Sequence, residues 1–247
     1  MNKIAFYLII FSILLFSCSN NGEGILSASN EEEDISSTTK LTEYEIDVIN
    51  YFKDIALGFE FGDASRITRR WGSNMKIFIG GTPPSELLSE LNTIINEINS
   101  LSTLGFSHEI VDDSLQSNYY IYFGSGRSYA EIFPSQSNLV ESNWGLFTIY
   151  WDSSNELFTG HMYVDTYRAS LNEQKHLLRE ELTQSLGLAR DSYLYSDSIF
   201  QQAFSTKVTK YAQIDKDLIR LLYHPEMSVG LNANQVDSIL RKILQEE

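Results

Sequence analysis

Glu180, Glu181 and Gln184 are the side chains of this sequence whose types and spacing best suit a chemical site. Turning by about 100° per residue, the surrounding leucines share one broad helical face: Leu171, Leu177, Leu178, Leu182, Leu186 and Leu188. Glu181 falls inside that face, Glu180 and Gln184 lie at its border, and His176 is one step further round. A carboxylate on an apolar face is costly unless it is paired, hydrogen-bonded or bound to a cation. The pattern thus indicates either a buried polar network or a cation site.

These side chains need a helix to hold them, and we predict one at about residues 171–186. Ser170 followed by Glu173 is typical of a capping box, in which side chains satisfy the first free backbone donors. Gly187 comes directly after the periodic stretch, where a helix commonly ends in a left-handed residue. The sequence therefore predicts both ends of the helix as well as its buried face.

The rest of the chain predicts the elements around that helix. Two more amphipathic helices are expected, at 44–57 and from Thr82-Pro-Pro to Leu101. Strands are expected at 75–79, 106–111, 118–123, 145–151 and 157–164. The part after the 171–186 helix is mainly helical. This order predicts an α+β domain with a mixed sheet, mostly in the N-terminal half, and a helical C-terminal part.

The N-terminus has the pattern of a bacterial lipoprotein signal peptide. Lys3 supplies a positive start, and residues 4–16 form an apolar run too short to cross a bilayer as a helix. The run ends in Leu15-Phe16-Ser17-Cys18, so we predict a signal peptide at 1–17 and lipidation of Cys18, the one cysteine in the chain. The membrane is then a partner, and the location is the cell envelope, on the periplasmic or surface face of the outer membrane.

Composition divides the remainder into a tether and one domain. Residues 18–40 are polar and acidic, too poor in large apolar side chains to fold, and are predicted to be a flexible tether. The 247-residue chain leaves 41–247 for a single domain with a sizeable core. Acidic residues outnumber basic ones by 33 to 18, for a formal charge of −15. That balance repels phosphate backbones and argues against nucleic acid as a partner.

Several motifs together resemble a known family. They are Tyr51–Phe61, Arg70-Trp71, Glu180–Leu188, Asp191-Ser192 and Leu222–Met227. The combination is similar to a bacterial family of secreted proteins of unknown function that looks like a degenerate branch of the zincin-like, metzincin-type metallopeptidases. The resemblance covers most of residues 44–247 and implies a zincin-like fold.

The resemblance also implies roles for individual residues. In zincins the motif HExxH supplies two zinc-binding histidines and a glutamate general base. Here the motif has become EExxQ, with Glu180 and Gln184 at the metal-ligand positions and Glu181 at the general-base position. Arg190 stands at the usual third-ligand place. Asp191 and His176 are further candidates to join or support such a site.

Two functions remain open from the sequence. One is a non-catalytic binding module that holds a peptide or protein in the former active-site cleft, with its polar residues in a hydrogen-bonded network. The alternative is an atypical metal-dependent peptidase or hydrolase in which Glu181 activates water. Because oxygen donors replace both histidines, zinc is disfavoured. One divalent cation is the most that such a site would hold, and we favour none.

Overall fold

The computed structural model of the chain describes residues 40–60, 62–203 and 207–247. The predicted signal peptide at 1–17, the lipidated Cys18 and the tether up to residue 39 lie outside these described residues. Six α-helices are described: α1 (Glu43–Ala56), α2 (Ser85–Leu101), α3 (Gly126–Ile132), α4 (Leu171–Gln184), α5 (Gln213–Leu222) and α6 (Ala233–Glu246). The strands are β1 (Arg70–Trp71), β2 (Met75–Gly81), β3 (His108–Val111), β4 (Tyr119–Gly124), β5 (Gly145–Trp151) and β6 (Glu156–Asp165).

The six strands form one mixed sheet in the order β1-β6-β4-β2-β3, with β5 paired to β6. The β5–β6 pair is antiparallel, and the other pairs are parallel. A parallel pair needs a crossover connection, and α2 supplies it between β2 and β3. A mixed sheet was predicted and is confirmed. The alternation of strands with helices makes the architecture mixed α/β, which refines the α+β class expected from the sequence.

Most predicted elements have nearly the predicted bounds. Strand β5 begins and ends where the sequence placed it, and α4 covers all but the last residues of the predicted 171–186 helix. Strand β3 begins two residues later than predicted, at His108. The reason is local, because the Ser107 amide donates to the side-chain oxygen of Asn74 at 3.1 Å instead of to a strand.

Helix α4 packs against β5, β6 and α2, so the main core lies between this helix layer and one face of the sheet. Leu178 and Leu182 of α4 are fully buried there, beside Met162 of β6. A smaller apolar cluster on the other side contains Tyr129, Val140, Leu146 and Tyr163. In the part of the chain that the structure describes, no helix has the length and apolar character needed to cross a bilayer.

Candidate functional site

Both ends of α4 are fixed as the sequence predicts. At the start, the Ser170 amide donates to a carboxylate oxygen of Glu173 at 2.7 Å. At the end, Gly187 has a φ of +112°, and a Cβ atom there would lie 2.0 Å from the carbonyl oxygen of Arg69. Only glycine fits this close approach, so the turn after α4 is held against the segment leading into β1.

The side of α4 that faces α2 carries a buried cation. Arg179 is 1% exposed and forms ion pairs with Glu90, at 2.8 Å, and with Glu97. Its guanidinium carbon also lies 4.5 Å from the ring centre of Tyr211. Because a buried charge is costly without partners, these contacts favour one rotation of α4 about its axis. That rotation directs Glu180, Glu181 and Gln184 to the opposite side.

There they line a cleft of about 820 Å³. Its other walls are β5, the loop around Gly62 and the segment that follows Gly187. Aromatic side chains of Phe59, Phe147 and Trp151 contribute to the lining. The acidic residues among the described lining side chains are Glu60, Asp63, Glu180, Glu181 and Asp191. The described lining of the cleft contains no lysine or arginine.

Strand β5 presents a free edge to this cleft. The Gly160 amide donates to the Asn118 carbonyl beside β4, at 3.0 Å. The next residue, His161, therefore directs its backbone groups toward β5, where its partner is Thr148. Because backbone groups alternate along a strand, Phe147 directs its N–H and C=O away from β6. In the described residues no strand pairs with that edge.

Glu181 is buried, as its position on the apolar face predicts, with 8% of its surface exposed. Burial raises the pKa of its carboxyl well above the ordinary value of 4.5, and the charges of Glu180, Asp191 and Glu60 raise it further. The sequence also predicts a partner for this carboxylate, and none of the described residues donates a hydrogen bond to it. Gly145 lies opposite and has no side chain to offer.

Glu180 faces His176 across one helical turn. The Nδ1 atom of His176 lies 2.6 Å from the Val208 carbonyl oxygen, so it carries a proton. The Nε2 atom lies 3.3 Å from Glu180 Oε2. Burial lowers the pKa of His176, but the hydrogen bond and charge of Glu180, with the Val208 carbonyl, outweigh it and raise the pKa overall. The imidazole therefore engages the Glu180 carboxylate, and each group occupies the other.

Gln184 and Asp191 form a second pair. The side-chain amide of Gln184 donates to Asp191 Oδ1 at 2.5 Å. Burial, followed by the charges of Glu180 and Glu60, raises the pKa of Asp191 to about 7, although this hydrogen bond opposes the shift. Two of the predicted site residues are thus hydrogen-bonded to each other at the cleft wall.

Arg190 lies apart from this group. Its guanidinium donates to the backbone carbonyl of Asp54 in α1 at 3.0 Å and lies 3.5 Å from the Asp54 carboxylate. The sequence put Arg190 at the usual third-ligand place, and the structure places its guanidinium on α1 instead. The predicted network is therefore two separate pairs, His176–Glu180 and Gln184–Asp191, around an unpaired Glu181.

This donor set does not fit a zinc ion. The Glu180 carboxylate is engaged by His176, and the Gln184 amide is oriented by Asp191. Among residues 40–60, 62–203 and 207–247, no three His, Cys, Asp or Glu side chains are grouped so that they could hold a metal ion. What the arrangement can do is accept hydrogen bonds and positive charge from a group that enters the cleft.

Sequence reasoning did not identify the residues that the fold adds from elsewhere. Glu60 and Asp63 reach the cleft from the loop after α1, and Phe147 reaches it from β5. The hairpin pattern predicted β5 itself, but nothing in the sequence near β5 shows that α4 lies beside its edge. That proximity depends on pairings between distant segments.

Comparison with known proteins identifies the family. A family profile described as "Protein of unknown function (DUF2927)" matches residues 46–242. The chain belongs to this family, so the predicted membership of a family of unknown function is confirmed. No curated protein matches the chain. Among solved structures, one described as "Structure of myroilysin" aligns with a TM-score of 0.38 and 13% sequence identity, covering 62% of this chain and 95% of that chain.

Proposed function

We propose that this member of the DUF2927 family is a non-catalytic binding module, with a zincin-like domain that holds an extended polypeptide segment against strand β5. The observation that carries the proposal is the free edge of β5 along the wall of the cleft. An extended segment added there would bond to backbone groups that no described strand uses, while its side chains enter the space beside α4.

The chemistry of the cleft supports binding over hydrolysis. A zincin-type peptidase needs ligands that converge on one ion and a glutamate that can take a proton from water. Glu180 and Gln184 are instead engaged by His176 and Asp191. Burial and neighbouring charges raise the pKa of Glu181. Without ligands that converge on an ion, this carboxyl lacks the metal-bound water on which a zincin glutamate acts.

Peptide binding can be tested with a pool of random heptapeptides and the full-length protein in detergent. Phe147→Pro removes an outward backbone donor without removing a ladder bond to β6, since proline is tolerated on a free edge. Phe147→Ala removes the same ring but keeps the donor. We expect Phe147→Pro to retain about tenfold less peptide than Phe147→Ala, a difference of about 1.4 kcal/mol. Equal retention by the two variants, or none by the wild type, would overturn the proposal.

The metal-dependent hydrolase stays a separate prediction with its own measurement. If the binding module is correct, metal analysis of the purified protein will find no stoichiometric divalent cation, and no chelator-sensitive peptide hydrolysis will be detected. One tightly bound metal per chain, lost in both Glu180→Ala and Gln184→Ala, would replace the proposal with the hydrolase. Glu181→Gln should then keep the metal and lose the hydrolysis.

We also propose that the domain is anchored to the bacterial envelope through lipidated Cys18. The support is the apolar run that ends at this cysteine. Cells fed a radioactive fatty acid should label the wild-type protein, and Cys18→Ala should abolish the label and the membrane fractionation. Label that persists in the variant would show that the lipid, if any, is attached elsewhere.

A further inference from the structure

The cleft beside β5 has an unusual balance of charge. Its described lining includes Glu60, Asp63, Glu180, Glu181 and Asp191, and His176 is the one lining group there that can carry a positive charge. The nearby arginines are directed elsewhere. Arg190 is bound to Asp54, and Arg69 lies over the ring of Trp151 at 4.4 Å, outside the lining. The described lining of the cleft therefore has more acidic groups than basic groups to pair with them.

Glu181 is a buried acidic group of the cleft that has no hydrogen-bond partner among the described residues. Only 8% of its surface is exposed, and it lines the cleft. Its carboxylate accepts no hydrogen bond from the described residues. A Cβ atom added at Gly145 would lie 2.7 Å from Glu181 Oε1, so this carboxylate lies against β5, the strand whose outer edge is unpaired in the described residues. A side chain from a strand bound at that edge would meet Glu181 directly.

The aromatic residues of the cleft suit the rest of such a side chain. Phe147 and Trp151 come from β5, and Phe59 is stacked on Trp151 with ring centres 5.1 Å apart. The methylene stem of a lysine or arginine packs well on apolar surface while its head reaches a polar group.

We infer that the cleft selects a lysine or arginine side chain of the bound polypeptide and places its cationic head against Glu181 and Asp191. This inference rests on the proposed binding of an extended segment to β5. It adds the class of side chain that the site recognises. A free divalent cation fits less well, because no three described ligands converge on one point.

The test uses N-acetylated heptapeptide pools in which the central residue is fixed and the other six positions are random. The fixed residue is lysine, arginine, norleucine or glutamate, and retention on the full-length protein is measured near 0.15 M salt, where long-range attraction is screened. We expect the lysine and arginine pools to be retained about tenfold more than the norleucine pool, a difference of about 1.4 kcal/mol.

Two variants separate the site from the overall charge. Glu181→Gln removes the acidic group that would pair with a cationic head in the cleft, whereas Glu131→Gln removes an acidic group from an exposed position on α3. We expect Glu181→Gln to abolish the preference for basic pools while norleucine binding persists, and Glu131→Gln to leave the preference intact. Asp191→Asn provides the same comparison if Glu181→Gln does not fold.

Each other outcome has a distinct meaning. If all four pools bind equally well, peptide binding stands and the selection of a basic side chain is wrong. If the preference survives in Glu181→Gln and Asp191→Asn, the cationic side chain is recognised elsewhere and the inference is overturned. If no pool is retained above the level of Phe147→Pro, the proposed function itself fails.

Discussion

Glu181 illustrates how much one buried carboxylate can depend on its surroundings. Burial and three neighbouring acids disfavour its charged form. Its helical periodicity was enough to predict the burial, since position on an apolar face is a local property. The partners were not predictable, because Arg179, two residues away, pairs with Glu90 and Glu97 on α2, and Arg190 binds Asp54 on α1. Such pairings depend on where distant helices lie.

The raised pKa of Glu181 makes a signed prediction about stability. The folded protein keeps this proton at pH values where the unfolded chain has lost it, so this stabilisation is complete below about pH 4.5 and is lost as pH rises through the folded pKa. We expect the free energy of unfolding of Glu181→Gln to be larger than that of wild type at pH 8, so the variant is the more stable protein there. The gain follows from the linkage of protonation to folding, in which each unit of pKa difference between the folded and unfolded chain corresponds to about 1.4 kcal/mol.

Urea unfolding between pH 5 and pH 8 would measure this difference, with Glu131→Gln as the control for loss of an exposed charge. The advantage of Glu181→Gln over wild type should grow with pH, while Glu131→Gln should follow the wild-type profile. Asp191, with a pKa raised to about 7, should leave part of the pH dependence in place. Parallel profiles for wild type and Glu181→Gln would show that Glu181 is ionised in the folded protein.

Strand β5 and helix α4 show which elements the sequence could predict. Their periodic patterns and end residues are local, and both were located nearly residue by residue. Their proximity was not predictable from those patterns, because it requires β6 to pair with β4 and β5 at once. The resemblance to zincins implied a cleft beside α4, but not that Glu60 of the loop after α1 would line it.

The turn after α4 should be the most sensitive glycine position near the site. Gly187→Ala meets both a positive φ and a carbonyl oxygen 2.0 Å from the new Cβ. Gly105→Ala is a matched control, with a φ of +81° and nothing within 4 Å of the Cβ. We expect Gly105→Ala to cost about 1 kcal/mol and Gly187→Ala about 3 kcal/mol or more. Equal losses in thermal unfolding would mean that the approach to Arg69 is not rigid.

At the scale of the whole molecule, the sequence combines a strongly acidic composition with a predicted domain boundary near residue 40. A formal charge of −15 favours encounters with basic partners over nucleic acids, which agrees with the proposed selection in the cleft. Among the described residues, contacts to the domain are already present directly after the predicted tether. Leu41 is 8% exposed, and Thr42 Oγ1 accepts a hydrogen bond from the Glu45 amide at 3.2 Å to cap α1.

If that boundary is correct, two truncated chains should differ in thermal stability. A chain beginning at Lys40 keeps Leu41 and the Thr42 cap, so it should melt within a couple of degrees of the mature protein. A chain beginning at Glu43 loses the cap, at about 1 kcal/mol, and the buried leucine, at about 2 kcal/mol. At about 2–4 °C per kcal/mol for a domain of this size, its Tm should fall by roughly 6–12 °C. A comparable fall in the Lys40 chain would instead show that the preceding residues pack against the domain and are not a tether.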